Sequence, residues 1–398
     1  MPVSRSIPAR LAAAALASLF AFAVPTAGRA ADPYEIYVIG ELTGFNAFVG
    51  TEEVKTALAI ESLVNKAGGI QGRPIKMIVR DSQSNPQIAV QFMNEAVAKK
   101  VPVVIGGGVA ATCLAMAGVI KEDGPVLYCY SSGVLPPPGA WLYSSGFSAL
   151  DQMATGVRYM RERGWTKMAA ITSTDATGQD ADRNLDNVFS QPENKSVTLA
   201  VHEHFNVNDV SVGAQLARIK QAGTQGLVAW TTGTGFGTIL RGLRDAGMDV
   251  AVLTTGGNLS YTQMETYKES IPSNLIFSGV PVLVPDAIRD PALRRTVNQF
   301  IDLFKAEGIR PDIGHAVAWD GPTVVIAALK KLGLNATAPQ IRDYINAQTA
   351  FAGGANGTMN FKAAPQRGLT KENIIVVRWD PAKDRFVAVS SPGGLPLK

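Results

Sequence analysis

The stretch Tyr34–Asp81, YEIYVIGELTGFNAFVGTEEVKTALAIESLVNKAGGIQGRPIKMIVRD, decides the fold. Its opening is rich in β-branched and aromatic residues and reads as a strand over Tyr34–Gly40, followed by a loop over Glu41–Gly50. Val54, Ala57, Leu58, Leu63 and Val64 then recur at helical spacing over Glu53–Lys66, and Gly68-Gly69 stops the helix. Pro74–Arg80 returns to strand. Strand, helix and strand in so short a segment form a β-α-β unit, whose two strands lie parallel.

The unit repeats downstream. Pro86 opens a helix reaching Lys99, with proline favoured in the first turn. Val101–Ile105 reads as a strand, Ala111–Lys121 as a helix and Val126–Cys129 as a strand. Pro136-Pro137-Pro138-Gly139 punctuates the chain, and Trp141–Phe147 reads as an extended connector. The pattern then restarts, with strands at Lys167–Thr172, Ser196–His204, Gly226–Trp230, Val250–Thr254 and Asn274–Ser278. Helices are predicted between them at Met153–Arg163, Asp180–Phe189, Val210–Gln221, Gly237–Ala246 and Tyr261–Glu269. Past Pro285 the chain turns helical over Pro291–Glu307, His315–Leu332 and Pro339–Ala347, and closes on a hairpin of Ile374–Trp379 and Arg385–Val389. Two successive halves of one architecture predict an α/β protein with two parallel sheets covered by helices on both faces. Neither tail reads as a separate domain, so the chain is expected to cross between the halves several times.

Met1–Arg10 is short and basic, Leu11–Val24 is apolar except for Ser18, and Gly28-Arg29-Ala30 offers small residues to a signal peptidase. That pattern predicts a secretory leader over Met1–Ala30, too short in its apolar core to span a bilayer. The mature chain then starts near Ala31 in the periplasm. Removing Arg5, Arg10 and Arg29 from 37 basic residues leaves 34 against 33 acidic ones. So even a balance lacks the basic patch that nucleic acid requires. About 368 mature residues, 46% of the whole chain being apolar, suit two domains. Cys113 and Cys129 are the two cysteines. In an oxidising compartment they are either a disulfide or a pair of buried thiols, and spacing alone leaves both readings open.

Ligands of open α/β sheets bind outside the carboxyl ends of the strands. The loops there are Glu41–Gly50, Gly106–Thr112, Tyr130–Val134, Thr174–Gly178, Thr231–Gly237 and Thr255–Leu259, nearly empty of charge. Phe45, Phe48, Tyr130, Trp230 and Phe236 offer apolar area, with burial at strand ends the competing reading for each. Thr112, Ser131, Ser132, Thr177 and Asn258 offer neutral hydrogen-bonding groups. Gly106-Gly107-Gly108-Val109-Ala110-Ala111 matches a dinucleotide fingerprint, yet it follows the third strand and no acidic residue ends a following strand at the right distance. No cofactor is expected. His202 and His204 flank Glu203 on one strand face, but the sequence offers no third ligand, so no metal is expected and the reading is a solvated face. His315 opens a helix and reads as a cap or packing residue. No nucleophile elbow, zincin or phosphate-loop motif occurs, and the chain does not read as an enzyme.

The chain resembles the periplasmic solute-binding proteins of ABC importers, of the leucine/isoleucine/valine-binding type. The residues that carry the resemblance begin with Ile39-Gly40-Glu41-Leu42-Thr43-Gly44, Gly50, Ala59-Ile60-Glu61 and Asn65 through Gly72. Asp81, Pro86, Ala89-Val90, Ile105-Gly106, Glu122 through Val126, Ile239-Leu240-Arg241, Ala246-Gly247 and Ala318-Trp319-Asp320 extend it over the mature chain. It implies two Rossmann-like, doubly wound lobes, residues 31–146 with 280–358 and residues 147–279 with 359–398. The three crossovers fall near Tyr143–Ser148, Ser278–Val282 and Gly357–Phe361. It also implies a monomer whose lobes close on a small molecule in the cleft between them and then engage a membrane permease.

Carried over position by position, the family's carboxylate-binding residues fall on Ala110, Thr112, Ser131, Ser132 and Gly133. The hydroxyls usual at the first and last of these are missing. The acidic partner of a ligand ammonium should stand near Gly256 and is absent, and a tyrosine is replaced by Thr177. A buried ammonium without a carboxylate costs several kcal/mol. Ordinary branched-chain amino acids are therefore not the expected ligand, unless Asp175 or Glu41 supplies the carboxylate. The expected ligand is a small organic acid, aromatic or oxo, with a neutral amide next. A branched-chain amino-acid receptor with a displaced ammonium partner, and an exported sensor for a signalling protein, are the alternatives. The expected contacts are Phe45, Phe48, Ala110, Thr112, Ser131, Ser132, Gly133, Asp175, Thr177, Trp230, Gly256 and Asn258.

Overall fold

The computed structural model describes residues 32–397, so the leader read over Met1–Ala30 lies outside the described residues. One sheet has five parallel strands, β1 (Tyr34–Gly40), β2 (Ile75–Asp81), β3 (Val103–Gly106), β4 (Val126–Cys129) and β5 (Leu142–Ser144), in the order β2-β1-β3-β4-β5. β5 lies inside the expected connector, which pairs with β4 from Leu127↔Leu142 to Cys129↔Ser144 and so becomes the sheet edge. The other sheet holds β6 (Lys167–Ser173), β7 (Thr198–Phe205), β8 (Gly226–Trp230), β9 (Ala251–Thr254), β10 (Leu275–Gly279), β11 (Ile375–Asp380) and β12 (Arg385–Ala388). Its order is β12-β11-β10-β9-β8-β6-β7, parallel except for the C-terminal hairpin of β11 and β12.

The helices are α1 (Ala47–Lys66), α2 (Pro86–Ala98), α3 (Ala110–Ala117), α4 (Ala149–Glu162), α5 (Ala176–Phe189), α6 (Gly213–Gln221), α7 (Thr234–Asp245), α8 (Tyr261–Thr266), α9 (Pro291–Ala306), α10 (Ile313–Leu332) and α11 (Ala338–Asn346). Asn85 shows why α2 starts where it does, its carboxamide oxygen accepting from Gln87 N (2.8 Å) and Ile88 N (3.3 Å). Such a cap is worth about 1 kcal/mol. α1, α5 and α7 begin three to six residues before their apolar periodicity does. Their first turns follow directly on strand-end loops and are interrupted by glycine, Gly50, Gly178 and Gly235, so period alone does not pick them out. Among the described residues no helix is long and apolar enough to cross a membrane.

Alternation along the strands loads both faces of each sheet. Ile36 and Val38 of β1 pack with Ala57 and Ile60 of α1 and Val324 and Val325 of α10. Tyr37 and Ile39 point the other way, onto Ala89, Met93 and Met116. In the second sheet Ala170, Val228 and Leu253 meet Met153, Val157 and Leu185, while Ile171, Ala229 and Val252 meet Leu216, Ile239 and Leu240. Each large aliphatic side chain so buried contributes about 1.5–3 kcal/mol.

After α11 the chain stays with the first sheet longer than expected. Ser144 N donates to Gln366 O (2.9 Å), Phe361 packs edge-on to Tyr143, and the buried Arg367 donates to the carbonyls of Val134, Ser145 and Gly146. Residues 359–368 thus lie against β5 before the chain reaches β11, later than a boundary at 359 would have it.

Two ties lock the first lobe. Cys113 and Cys129 form a disulfide across the β3-α3-β4 turn, their Cα atoms 6.1 Å apart, inside the usual range. At the start of α10, His315 sits between two carboxylates, with Nδ1 3.0 Å from Asp312 Oδ1 and Nε2 3.0 Å from Glu52 Oε2 of α1. Burial disfavours the imidazolium, but these two partners outweigh it and raise its pKa to about 9.

Two outcomes follow from these ties. Replacing both cysteines with alanine should lower the unfolding free energy in denaturant titrations by roughly 3 kcal/mol, the loop-closure value for so short a loop. Because His315 is raised above its ordinary 6.5, its contribution is complete below about pH 6.5 and is lost as pH rises through about 9. Denaturant midpoints should therefore fall across that window, and less steeply in His315→Asn; equal slopes would remove His315 from the account.

Candidate functional site

The carboxyl ends of β3, β4 and β5 in one sheet and of β8, β9 and β10 in the other open on a shared, narrow cleft with only about 40 Å³ of room inside it. Its walls mix apolar side chains, among them Val49, Phe147, Val280, Ile313 and Val317, with the polar groups of Asn46, Glu53, Tyr130, Ser132, Gln152, Thr232 and Ser278. Among the described residues that line it, none is basic and Glu53 is the only carboxylic acid. The two halves meet at its rim. Phe45 O accepts from Thr234 N (3.3 Å), Ile313 N donates to Leu259 O (3.2 Å), and Phe48 packs edge-on to Tyr267 at 6.1 Å. Gly233, with φ +65, comes so close to Phe45 O that a Cβ there would lie 2.3 Å from it.

The first sheet's anion nook is already occupied. Helix N-termini favour anions, and the resemblance assigns a ligand carboxylate to the start of α3. Glu41, one residue past β1, fills that place with its own side chain. Its Oε2 accepts from Gly108 N (2.8 Å) and its Oε1 from the Thr112 hydroxyl (2.8 Å). On the other side of Gly108 stands Glu53 of α1, both of whose carboxyl oxygens lie 2.7 Å from where a Gly108 Cβ would be. Only glycine leaves room for that approach.

Glu41 and Glu53 are both buried, and they are not equivalent. Burial raises the pKa of each, but Glu41 recovers hydrogen bonds from Gly108 and Thr112. Glu53 recovers none, and the nearby charges of Glu41 and Asp312 push it further, well above the carboxylate range. The two carboxyls interact, and of the pair Glu53 is the one whose proton is held to higher pH. Glu53 Oε2 and the Tyr130 hydroxyl are buried without a hydrogen-bond partner, the state that an incoming polar group relieves.

The second sheet presents a tightly bonded wall. Gln152 of α4 accepts from Gly256 N (2.7 Å) and the Thr255 hydroxyl (3.2 Å), donates to Phe147 O (2.9 Å), and its own carbonyl accepts from the Ser278 hydroxyl (2.6 Å). A Cβ on Gly256 would stand 2.7 Å from Ser278 O and 3.2 Å from Gln152 Oε1. The acidic residue missing at this position could not be accommodated by this wall.

Of the expected contacts, Ser132 and Gly256 line the cleft. Phe45 and Phe48 hold the two halves together at its rim. Several others are committed elsewhere. Thr112 spends its hydroxyl on Glu41 and Val109 O, Ser131 accepts from Gly133 N, and Ala110 lies in the first lobe's core. Asp175 caps α5, accepting from Gly178 N (3.1 Å) and the Ser173 hydroxyl (2.6 Å), and is no substitute for a missing cleft carboxylate. Thr177 and Gly133 back onto each other beside α3, and Trp230 is a core residue, 1% exposed, as the competing reading for strand-end aromatics had it. Asn258 is buried, donating to Thr231 O and the Thr254 hydroxyl. Sequence reasoning missed Glu53, Asn46, Val49, Gln152, Ile313 and Val317. Glu53 had a visible signal, a carboxylate at helical spacing between Val49, Ala57 and Ile60 on the apolar stripe of α1.

Comparison with known proteins agrees with this architecture. A family model described as periplasmic binding protein matches residues 33–385. The Leu/Ile/Val-binding protein homolog 3 of Brucella melitensis is 26% identical over 377 residues, covering 92% of this chain and 96% of that one. The leucine-, isoleucine-, valine-, threonine- and alanine-binding protein of Pseudomonas aeruginosa is 26% identical over 311 residues, covering 76% and 80%. The crystal structure of an extracellular ligand-binding receptor from Rhodopseudomonas palustris HaA2 superposes with a TM-score of 0.80 at 21% identity, covering 90% and 99%. With the family match running through every cleft-lining residue, the chain belongs to the periplasmic binding proteins, a family of solute binders and not of enzymes.

Proposed function

We propose that this protein is the exported substrate-binding component of an ABC importer, and that its ligand is a small, partly apolar molecule bearing an amide or amine nitrogen and no free carboxylate. The observation that carries the ligand class is Glu53, a buried carboxyl with no protein donor, facing a cleft without a basic side chain. A ligand N–H satisfies it, and a ligand carbonyl can accept its proton. A free carboxylate meets neither a cation nor a vacant helix N-terminus, because Glu41 occupies the start of α3. The amide therefore takes precedence over the aromatic or oxo acid in this reading. Val49, Phe147, Val280, Ile313 and Val317 suit the apolar remainder.

A second reading has one observation in its favour. Glu53 is placed to serve as the displaced ammonium partner of a branched-chain amino acid, the class the Pseudomonas and Brucella relatives are named for. Such a ligand's carboxylate still lacks a counter-charge here. In either reading the protein works as a periplasmic monomer, delivered by the leader at Met1–Ala30. Its lobes close by hinge motion and present the ligand to a permease, with residues 280–368 assigned to the first lobe and the chain after them to the second.

Calorimetric titration of the mature, untagged protein with leucinamide, isovaleramide, leucine and 4-methyl-2-oxopentanoate separates these readings. Leucinamide or isovaleramide should bind, raising stability by about 2.7 kcal/mol at a hundredfold excess over Kd. Glu53→Gln should weaken leucinamide by roughly 2–10-fold, the net worth of a hydrogen bond between neutral groups. Tight binding of leucine selects the second reading; tight binding of the oxo acid alone contradicts both.

A further inference from the structure

His202 and His204 project from the same face of β7, the edge strand of the seven-stranded sheet, and α5 packs over that face. Sequence offered these histidines no third ligand. The fold supplies Asp182, on the second turn of α5, between the two rings. His202 Nε2 lies 3.0 Å from Asp182 Oδ1 and His204 Nε2 lies 3.1 Å from Asp182 Oδ2, while the ring centroids are 4.4 Å apart. One ligand atom from each of the three falls within 4.8 Å of the other two. The Thr172 hydroxyl of β6 braces the group, donating to Asp182 Oδ1 (2.7 Å) and standing 3.0 Å from His202 Nε2.

From this arrangement we infer that Asp182, His202 and His204 form a binding site for a divalent transition-metal ion, Zn2+ by ligand chemistry, on the outer face of the second lobe. Two imidazoles and one carboxylate exclude the hard, all-oxygen cations and match a three-ligand zinc site with a position left open. Metal bonds of about 2.0–2.1 Å at tetrahedral angles separate ligand atoms by about 3.3 Å, close to the Nε2···O distances already present. Binding replaces the Nε2 protons by the ion, moving each imidazole to its Nδ1–H tautomer and releasing no oxidant or reductant. Thr172 acts as the outer partner that fixes the carboxylate. The three side chains are each partly exposed, so solvent fills the open position and an ion can enter directly. An ion here cross-links α5 to an edge strand that has only β6 beside it.

The test uses the mature protein with any affinity tag removed, since a tag would itself bind metal. Zn2+ titration by calorimetry should give one equivalent with micromolar or tighter affinity, and Zn2+ should raise the thermal midpoint reversibly to EDTA. Co2+ in its place should give the intense visible absorption of a low-symmetry site. Asp182→Asn and His204→Gln are near-isosteric, and their folding is checked by circular dichroism. Each should weaken Zn2+ by at least the roughly 10–100-fold that losing even an outer partner costs. Absence of binding at micromolar metal overturns the proposal, and so does binding that both folded variants retain, which would place the ion elsewhere.

Discussion

The Glu41 carboxylate at the head of α3 sets what the rest of the cleft can do. A helix N-terminus offers oriented N–H groups and a partial positive charge to whatever anion reaches it first. Here the anion is built into the chain one residue past β1, taking the Gly108 N–H and the Thr112 hydroxyl. With that position filled and no basic residue among the described lining, a second carboxyl in the same space has no source of stabilisation as an anion. Glu53 is that second carboxyl, and burial and the nearby charges of Glu41 and Asp312 raise its pKa well above the carboxylate range, favouring the neutral form. The first lobe thus presents a hydrogen-bonding acid where the family's amino-acid binders present an anion trap, and that inversion is what turns the ligand assignment from carboxylate toward nitrogen.

The second lobe contributes shape more than charge. Gln152 gathers Gly256, Thr255 and Phe147 into one network, and Ser278 holds its backbone, so the Gly256 amide is already spent. A wall whose hydrogen bonds are already made costs nothing to reorganise when a ligand docks, and it selects by fit. The contacts at the rim mix backbone hydrogen bonds, from Thr234 N to Phe45 O and from Ile313 N to Leu259 O, with the edge-on aromatic pair Phe48 and Tyr267. They join two bodies each with its own packed sheet, the arrangement in which hinge motion is the ordinary expectation.

Most of the fold was legible in the sequence because β-α-β periodicity is local. The strands at Tyr34–Gly40 and Gly226–Trp230 and the C-terminal hairpin were readable from alternation and turn residues alone. What was not readable lies where long-range packing overrides pattern. β5 looked like a connector until β4 paired with it, and residues 359–368 looked like part of the second lobe until Gln366 and Arg367 bound the first. The site was harder. Loop polarity pointed to the strand ends, where Ser132 and Gly256 line the cleft. Yet Thr112 and Asp175 have the right chemistry turned to internal use, as a carboxylate donor and a helix cap, and only geometry distinguishes use from availability. The Cys113–Cys129 pairing and the approach of Asp182 to His202 and His204 likewise depend on separations that spacing in sequence does not encode.

What the cleft can bind turns on the protonation state of Glu53 before a ligand enters. Carbon-13 NMR of protein labelled at the glutamate side-chain carboxyls, titrated from acid to neutral pH, measures it directly. One glutamate carboxyl, identified by its disappearance in Glu53→Gln, should still be protonated at pH 7. A Glu53 signal titrating near the ordinary glutamate value of about 4.3 would contradict it, leaving the cleft with two charged carboxylates and the ligand assignment without its basis.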